Sequence, residues 1–249
     1  MSTADTSTDV ATEPAPTLVV TGGSSGIGSA TAQAFVDAGW RVICLARRTC
    51  PVVGVVSVAV DFTIAGWETA LREQVLPRLD GGRVCVVHNA ALLEKDSALD
   101  LDTQRLRHVL EVNVVAPAVI NRVLRPKLVA GSSILFVGST LSEKAVANTA
   151  SYVTSKHALV GLMRATCQDA AGTGVHTACV CPGFVETEML RAHIAAAGDV
   201  DSTLRALGNL SGHGRLIQPI EIARLLLACA EQPVLDGAVI HANLGQIER

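Results

Sequence analysis

The chain holds a single tyrosine, Tyr152, and Lys156 follows it four residues later. At i and i+4 on a predicted helix, the two side chains share one face. A phenol has a reference pKa of about 10, too high to give and take a proton easily at neutral pH. A nearby ammonium stabilises the phenolate and makes that exchange practicable. Thirteen residues before Tyr152 stands Ser139, just past the apolar run Ile134 to Val137. Its hydroxyl can hydrogen-bond and orient the oxygen of a reacting group. A Tyr-x-x-x-Lys pair is common by chance. The upstream serine and the order of the segments around it make this one specific.

A second constellation lies near the start. The apolar run Leu18-Val19-Val20-Thr21 passes directly into Gly22-Gly23-Ser24-Ser25-Gly26-Ile27-Gly28 and then into a helical pattern. Glycines permit a tight turn and a close approach of backbone to ligand. The unpaired amides and the dipole of the following helix favour an anion such as a dinucleotide pyrophosphate. The strand–turn–helix setting is what gives the glycine string meaning.

These residues need a frame, and the chain supplies one by alternation. Strands are predicted over Leu18–Thr21, Arg41–Ala46, Val55–Val60, Val84–His88, Ile134–Val137, Val175–Cys181 and Ala238–His241. Helices are predicted over Ile27–Ala38, Trp67–Leu76, Thr103–Leu128 (interrupted by Pro117 and Pro126), Ser151–Ala170 and Pro219–Ala230. Near-continuous Val/Ile/Leu runs separated by helices indicate a parallel sheet covered on both faces. The fold class is therefore α/β, a doubly wound, Rossmann-like, mostly parallel seven-stranded sheet in a single domain over residues 17–249. Residues 184–214 break the alternation with two short helical patterns and a glycine-rich exit. An insertion there, after a strand's C-terminal end, lies over the ligand crevice, so a substrate lid is expected. A surface excursion is the plainer alternative. Residues 1–16, rich in Ser, Thr, Ala and Pro, read as a flexible tail.

Composition bounds the function. Of 249 residues 49% are hydrophobic, enough for a large core and against a disordered chain. Twenty basic residues against 23 acidic ones argue against a broad nucleic-acid surface or a polybasic membrane patch. No apolar run reaches the roughly 18–20 residues of a spanning helix. The first sixteen residues lack the features of a signal or transit peptide, so a cytoplasmic protein is expected. Seven cysteines without a C-x-x-C pair read as reduced, buried small hydrophobes. No spacing of His, Cys and Asp suggests a metal.

The spacing Gly-x-x-x-Gly-x-Gly resembles the cofactor turn of the classical short-chain dehydrogenases/reductases, and other landmarks of that family follow in order over roughly 17–245. The resemblance implies a nicotinamide cofactor held by Gly22, Ser24, Ser25, Gly26, Ile27 and Gly28. It also implies a catalytic set of Asn113, Ser139, Tyr152 and Lys156, with Tyr152 as acid in reduction and base in oxidation, and Lys156 also on the nicotinamide ribose. In NAD-binding relatives an acidic residue ends the second strand. Here Ala46 stands in its place and Arg47 and Arg48 follow, a pair that would welcome the 2′-phosphate of NADP(H) rather than NAD(H). Solvated surface arginines are the plainer reading of that pair. Asp61-Phe62 resembles the adenine contact, although an aspartate there can simply cap a turn. His88-Asn89-Ala90-Ala91 resembles the family's Asn-Asn-Ala-Gly, so Asn89 is carried over, His88 is read as structural, and Ala91 should restrict the backbone beside the cofactor. Pro182, Gly183, Val185 and Thr187 resemble the segment at the nicotinamide end. Leu244 departs from the family's usual Asp-Gly-Gly ending, and no role is carried over there.

Two further expectations come from physics. Proline lacks an amide hydrogen, so Pro117 should free the carbonyl of Asn113, four residues back. In the family that carbonyl holds a water of the proton relay; a kink without purpose is the alternative. Only eight residues, 49–56, separate the arginine pair from the third strand's core, too few for the usual crossover helix. The adenine side should then be more open.

The function implied is an NADP(H)-dependent oxidoreductase acting on a carbonyl or secondary alcohol of small-molecule size. Alternatives are an alcohol dehydrogenase working in the oxidative direction and a non-catalytic NADPH-binding sensor or scaffold. Leu92, Leu93, Leu141, Val146, Phe184, Met189 and Leu190 are the expected apolar walls. Arg191, Arg205 or Arg215 would meet an anionic group if they face the pocket. The resemblance also implies a homotetramer, or a homodimer, built through the long helices 103–128 and 151–170 and through the last helix and strand.

Overall fold

The computed structural model describes residues 14–195 and 198–246. Most of the expected N-terminal tail, residues 1–13, lies outside them. Seven strands form one sheet: β1 Thr17–Thr21, β2 Arg41–Ala46, β3 Val56–Ala59, β4 Val84–His88, β5 Ser133–Val137, β6 His176–Pro182 and β7 Ala238–Ala242. Their order is β3-β2-β1-β4-β5-β6-β7, and every neighbouring pair is parallel. Each strand matches an expected run to within a residue or two.

The reason lies in the period of two. Side chains of a strand point alternately to opposite faces, and both faces here are covered. Val19, Ile43, Leu45, Val86, Ile134 and Phe136 enter one core. Leu18, Val20, Val42, Cys44, Cys85, Val87, Leu135 and Val137 enter the other. The first core is closed by α4 Ala116–Leu124, through Ile120, Val123 and Leu124, and by α5 Ala150–Asp169, through Leu159, Val160 and Met163. The second is closed by α1 Gly26–Asp37 and α8 Pro219–Glu231, through Phe35, Ile222 and Leu226. Phe35 meets Trp40 edge to face at 5.0 Å. All seven cysteines are free and six are buried, as expected of small hydrophobes. Burial pushes the Cys85 thiol up to about 12.

Three local departures follow from the backbone. The expected helix from Trp67 becomes α2 Glu68–Ala70, a π turn over Leu71–Val75 and a 3₁₀ turn over Leu76–Arg78. The long helix from Thr103 is divided: α3 Thr103–Leu110, a π turn over Glu111–Val115, then α4 and a 3₁₀ turn over Arg125–Lys127. Pro117 sits at the start of α4, so the widened turn falls where its missing amide and its ring disturb the preceding carbonyls. Between β2 and β3 no helix forms, and Val53 on that short connection is 89% exposed.

The chain runs outward from β1 to β3 and then returns to place β4 on the other side of β1. At such a reversal the segments leaving β1 and β4 part in opposite directions and open a crevice at the strands' carboxyl ends. The glycine turn leaves β1 at this point, and residues 89–93 leave β4.

Candidate active site

The glycine turn is held by its neighbour strand. Gly22 has φ +68°, a conformation glycine adopts without steric cost. Asn89 Nδ2 donates to the carbonyls of Thr21, at 3.0 Å, and Gly22, at 3.3 Å. The amides of Asn89 and Ala90 both donate to Thr21 Oγ1 at 2.9 Å. Asn89 is thus a strut between β4 and the turn. Ala91 keeps a negative φ, so alanine fits there without the strain its replacement of glycine suggested. Ser25 caps α1 without a side-chain hydrogen bond, which leaves the helix's first amides open toward the crevice.

A cleft of about 1450 Å³ starts at this turn and runs to the end of β5. At one end it is lined by Ala46, Arg47, Arg48, Asp61 and Phe62. Arg48 pairs with Glu188 through its guanidinium, 3.2 Å from Glu188 Oε2. Arg47 has no ion pair among the described residues, and its charge helps to hold Asp61 in its ionised form. Asp61 lies below the ordinary carboxylate range chiefly because its Oδ1 accepts from the Thr63 hydroxyl, at 2.7 Å, and the Thr63 amide, at 3.0 Å. The turn-capping reading of Asp61 therefore holds, beside its place on the cleft wall. Phe62 is buried edge-on against Trp67.

At the other end stand Ser139, Tyr152 and Lys156, all lining the cleft. Ser139 caps a 3₁₀ turn, Thr140–Ser142, with Oγ accepting from Leu141 N at 3.1 Å. Its own amide donates to Ser142 Oγ at 3.2 Å. The serine hydroxyl hydrogen stays available. Helix α5 presents Tyr152 and Lys156 on one face, as the spacing requires. Lys156 is only 3% exposed, its Nζ donates to Val137 O at 2.7 Å, and it lies 5.4 Å from the centre of the Tyr152 ring. An ammonium has three donors, and Val137 takes one of them.

Asn113 is the remaining member of the expected catalytic set. It is 1% exposed and its side chain does not line the cleft. Oδ1 accepts from Leu92 N at 2.8 Å, while Nδ2 donates to Leu92 O at 3.0 Å and Ser155 Oγ at 2.9 Å. The side chain fastens the loop after β4 to α5. Gly28 also lies behind the cleft wall rather than on it. The other expected cofactor residues, including Pro182, Gly183, Val185 and Thr187, line it.

After β6 come α6 Glu188–Ile194, which lines the cleft through Met189, Leu190, His193 and Ile194, and α7 Val200–Gly208, which lines it through Leu207. Thr187 caps α6, its Oγ1 accepting from Leu190 N at 3.2 Å, and its side chain packs near Gly26. All seven expected apolar wall positions line the cleft. The three arginines offered for an anionic substrate do not. Arg191 pairs with Glu186 and Asp201, and Arg215 grips Glu221 with two bonds of 2.7 Å and holds its carboxyl down to about 2. Polar lining groups absent from the sequence reading include His108, Lys144, His193 and Gln246. None belongs to a local motif, and only the folded chain brings His193, on α6, and Gln246, after β7, to the wall.

His88 is structural, as expected. It is 3% exposed, Nε2 meets Asn121 Oδ1 at 2.7 Å, and Nδ1 is buried with no partner. Burial lowers its pKa to about 4. The unfolded chain takes up this proton near pH 6.5 and the folded chain does not until about pH 4. Stability should therefore fall as pH drops through that window, by about 3 kcal/mol in total, and level off below it. Urea unfolding of wild type and His88→Asn across this range checks the point. Equal slopes for the two proteins would contradict a buried neutral imidazole.

Comparison with known proteins agrees with this architecture. Residues 16–197 match the family model described as short chain dehydrogenase. The chain is 28% identical to dehydrogenase/reductase SDR family member 6 of Aquarana catesbeiana, over 91% of this chain and 93% of that one. It is 30% identical to protein FixR of Bradyrhizobium diazoefficiens, covering 92% and 86%. A solved structure from Beutenbergia cavernae, a candidate NAD(P)-dependent gluconate 5-dehydrogenase with NADP bound at low occupancy, superposes with a TM-score of 0.80 at 28% identity, covering 94% and 97%. The chain belongs to the short-chain dehydrogenase family, a class of oxidoreductases that use a nicotinamide cofactor. Among the described residues no helix is long and apolar enough to cross a membrane.

Proposed function

We propose that this protein is an NADP(H)-dependent reductase of ketones, with Tyr152 as the general acid. The observation that carries the reading is the buried Lys156 ammonium against the Tyr152 ring, beside Ser139, at the inner end of the cleft. The site suits a dinucleotide. Its uncapped helix start and glycine turn can take the pyrophosphate through Ser24, Ser25, Gly26 and Ile27. Arg47 would take a 2′-phosphate, since no carboxylate of the described residues holds it in an ion pair. Lys156 has donors to spare for a ribose, and Val185 with Thr187 would hold the carboxamide. The NADP seen in the Beutenbergia cavernae relative accords with this choice.

When bound, NADPH supplies the hydride. Ser139 donates to the substrate oxygen and fixes its direction. Tyr152 then gives its proton to the same oxygen, and the Lys156 charge stabilises the phenolate left behind. Asn113 contributes through its backbone carbonyl at the Pro117 break, while its side chain keeps the Leu92 loop in place. The same groups run alcohol oxidation in reverse. We place the protein in the cytoplasm as a homotetramer, with residues 184–214 acting as the substrate lid.

The cofactor choice is tested by titrating NADPH and NADH at fixed salt, following nucleotide fluorescence. Arg47→Ala should weaken NADPH binding by about tenfold or more, the worth of a lost charge-assisted hydrogen bond or two. NADH binding should change little. Arg48→Ala should do less, because Glu188 already engages that guanidinium. Equal losses for both nucleotides in Arg47→Ala would refute the 2′-phosphate role.

A further inference from the structure

The cleft has two ends of different chemistry. Charged and polar side chains gather at the end of Arg47, Arg48, Asp61 and His108. Ser139 follows β5, and the walls contributed by the segments leaving β5 and its two neighbour strands are largely apolar. They comprise Leu92 after β4, Leu141 and Val146 after β5, and Phe184, Met189 and Leu190 after β6. Phe184 and Leu190 are packed in turn against the buried Ile194, Leu204 and Leu216, which fixes that wall from behind.

The apolar lining continues into solvent. Val146 is 57% exposed and Met189 41% exposed, and both line the cleft. Exposed apolar side chains scattered singly are ordinary. Here two of them, from different segments, extend a lining that is already apolar. Such a surface gains most from an occupant that removes it from water along its length.

Polar groups that could hold a decorated substrate are few. Among the described residues that line the cleft, Asp61 is the one carboxylate, and it stands at the other end, where it accepts from Thr63. The amide side chains are Asn89, which donates to the carbonyls of Thr21 and Gly22, and Gln246, whose Oε1 is buried beside Gly183. The Thr149 hydroxyl donates to Val146 O at 2.7 Å. Burial, and then the Lys95 charge, hold His193 below the ordinary imidazole range, so it is neutral near pH 7.

We propose that the substrate is a ketone with an extended, uncharged apolar body, which these walls select over short ketones and over ketones carrying a carboxylate. The inference rests on the reductase reading above, in which Ser139 and Tyr152 meet the reacting oxygen. The rest of the substrate then lies along the leucines and Phe184 and reaches outward between Val146 and Met189.

The test uses 2-butanone, 2-octanone and 7-oxooctanoate with NADPH. All three are methyl ketones with the same groups beside the carbonyl. They differ in chain length and in the far end, a methyl or a carboxylate. Each buried methylene is worth about a fourfold gain, so kcat/KM should rise by about tenfold or more from 2-butanone to 2-octanone. It should fall again by about tenfold or more for 7-oxooctanoate, whose charge would have to lie against an apolar wall. Lys144 lines the cleft, so the carboxylate is the proper counter-case. The double variant Val146→Thr with Met189→Gln nearly keeps the shapes of two exposed side chains and makes them polar. It should cut the ratio of 2-octanone to 2-butanone by about threefold or more. NADPH titration reports whether its cofactor site is intact; if that is lost, Val146→Thr alone, at the more exposed position, carries the comparison. A flat response to chain length, a preference for 7-oxooctanoate, or an unchanged ratio in the variant would overturn the apolar substrate and leave the reductase standing. A wild type that binds NADPH and reduces none of the three would remove both.

Discussion

Replacing Gly28 by alanine is expected to cost the protein both stability and its cofactor. The added Cβ would stand 2.3 Å from Gly22 O and 2.5 Å from Asn89 Nδ2. The first of these is backbone, fixed by the Gly22 amide's own bond of 2.8 Å to Leu45 O. The second is the strut that ties β4 to the turn. Neither can yield without moving the first turn of α1 away from β1. Overpacking of this kind costs about 1–3 kcal/mol, and the upper part of that range is expected because no flexible side-chain end can absorb the clash. The same displacement swings the open amides of α1 out of line with the pyrophosphate position, so NADPH affinity should fall by about tenfold or more. Urea unfolding and nucleotide titration on one preparation check both effects. A variant with unchanged stability and unchanged NADPH binding would show that Gly28 is not the close-approach position of the turn.

The clash at Gly28 is the kind of feature a sequence announces, because it is local. Strand, turn and helix follow one another, and close packing needs the last glycine whatever the rest of the chain does. The seven strands were legible for a similar reason: double-faced burial leaves uninterrupted apolar runs, and their spacing by helices implies a parallel sheet. Tyr152 and Lys156 were readable from the helical period alone, as was the disturbance that Pro117 imposes behind it. What escaped was set by partners distant in sequence. Nothing near Arg48 says that Glu188, 140 residues away, will pair with its guanidinium. Nothing near Asn113 says that Leu92 and Ser155 will use both ends of its amide. Gln246 is the extreme case, since its place depends on the reversal at Leu244, at φ +53°, and on the Gly212 amide that bonds the carbonyls of Leu244 and Gly245. Residue types and spacing therefore marked groups that the fold brings to one cleft, while the side-chain directions that decide which polar groups face it were products of the tertiary fold.

Tyr152→Phe is expected to lower turnover by a factor of about a thousand or more, within the range that general acid catalysis supplies. The substitution removes one oxygen and keeps the ring. Lys156 keeps its bond to Val137 O and its ring contact, since an ammonium is attracted to phenylalanine as to tyrosine. The nicotinamide end of the site should therefore survive, and NADPH affinity should stay within about threefold, a change of well under 1 kcal/mol. The other two groups of the expected catalytic set that line the cleft, Ser139 and Lys156, are poor replacements. Ser139 Oγ accepts from Leu141 N and can donate to the substrate oxygen, but a hydroxyl with no base behind it is a poor proton source. Lys156 is buried, with its Nζ bonded to Val137 O at the end of β5. There is no second tyrosine anywhere in the chain. Initial rates of NADPH oxidation with a ketone panel, paired with nucleotide titration, give the two numbers needed. A variant that binds NADPH normally and loses turnover assigns the proton to Tyr152. If it turns over at a rate within tenfold of wild type, the proton comes from elsewhere, and the buried Lys156 would then have to be explained by the ribose alone.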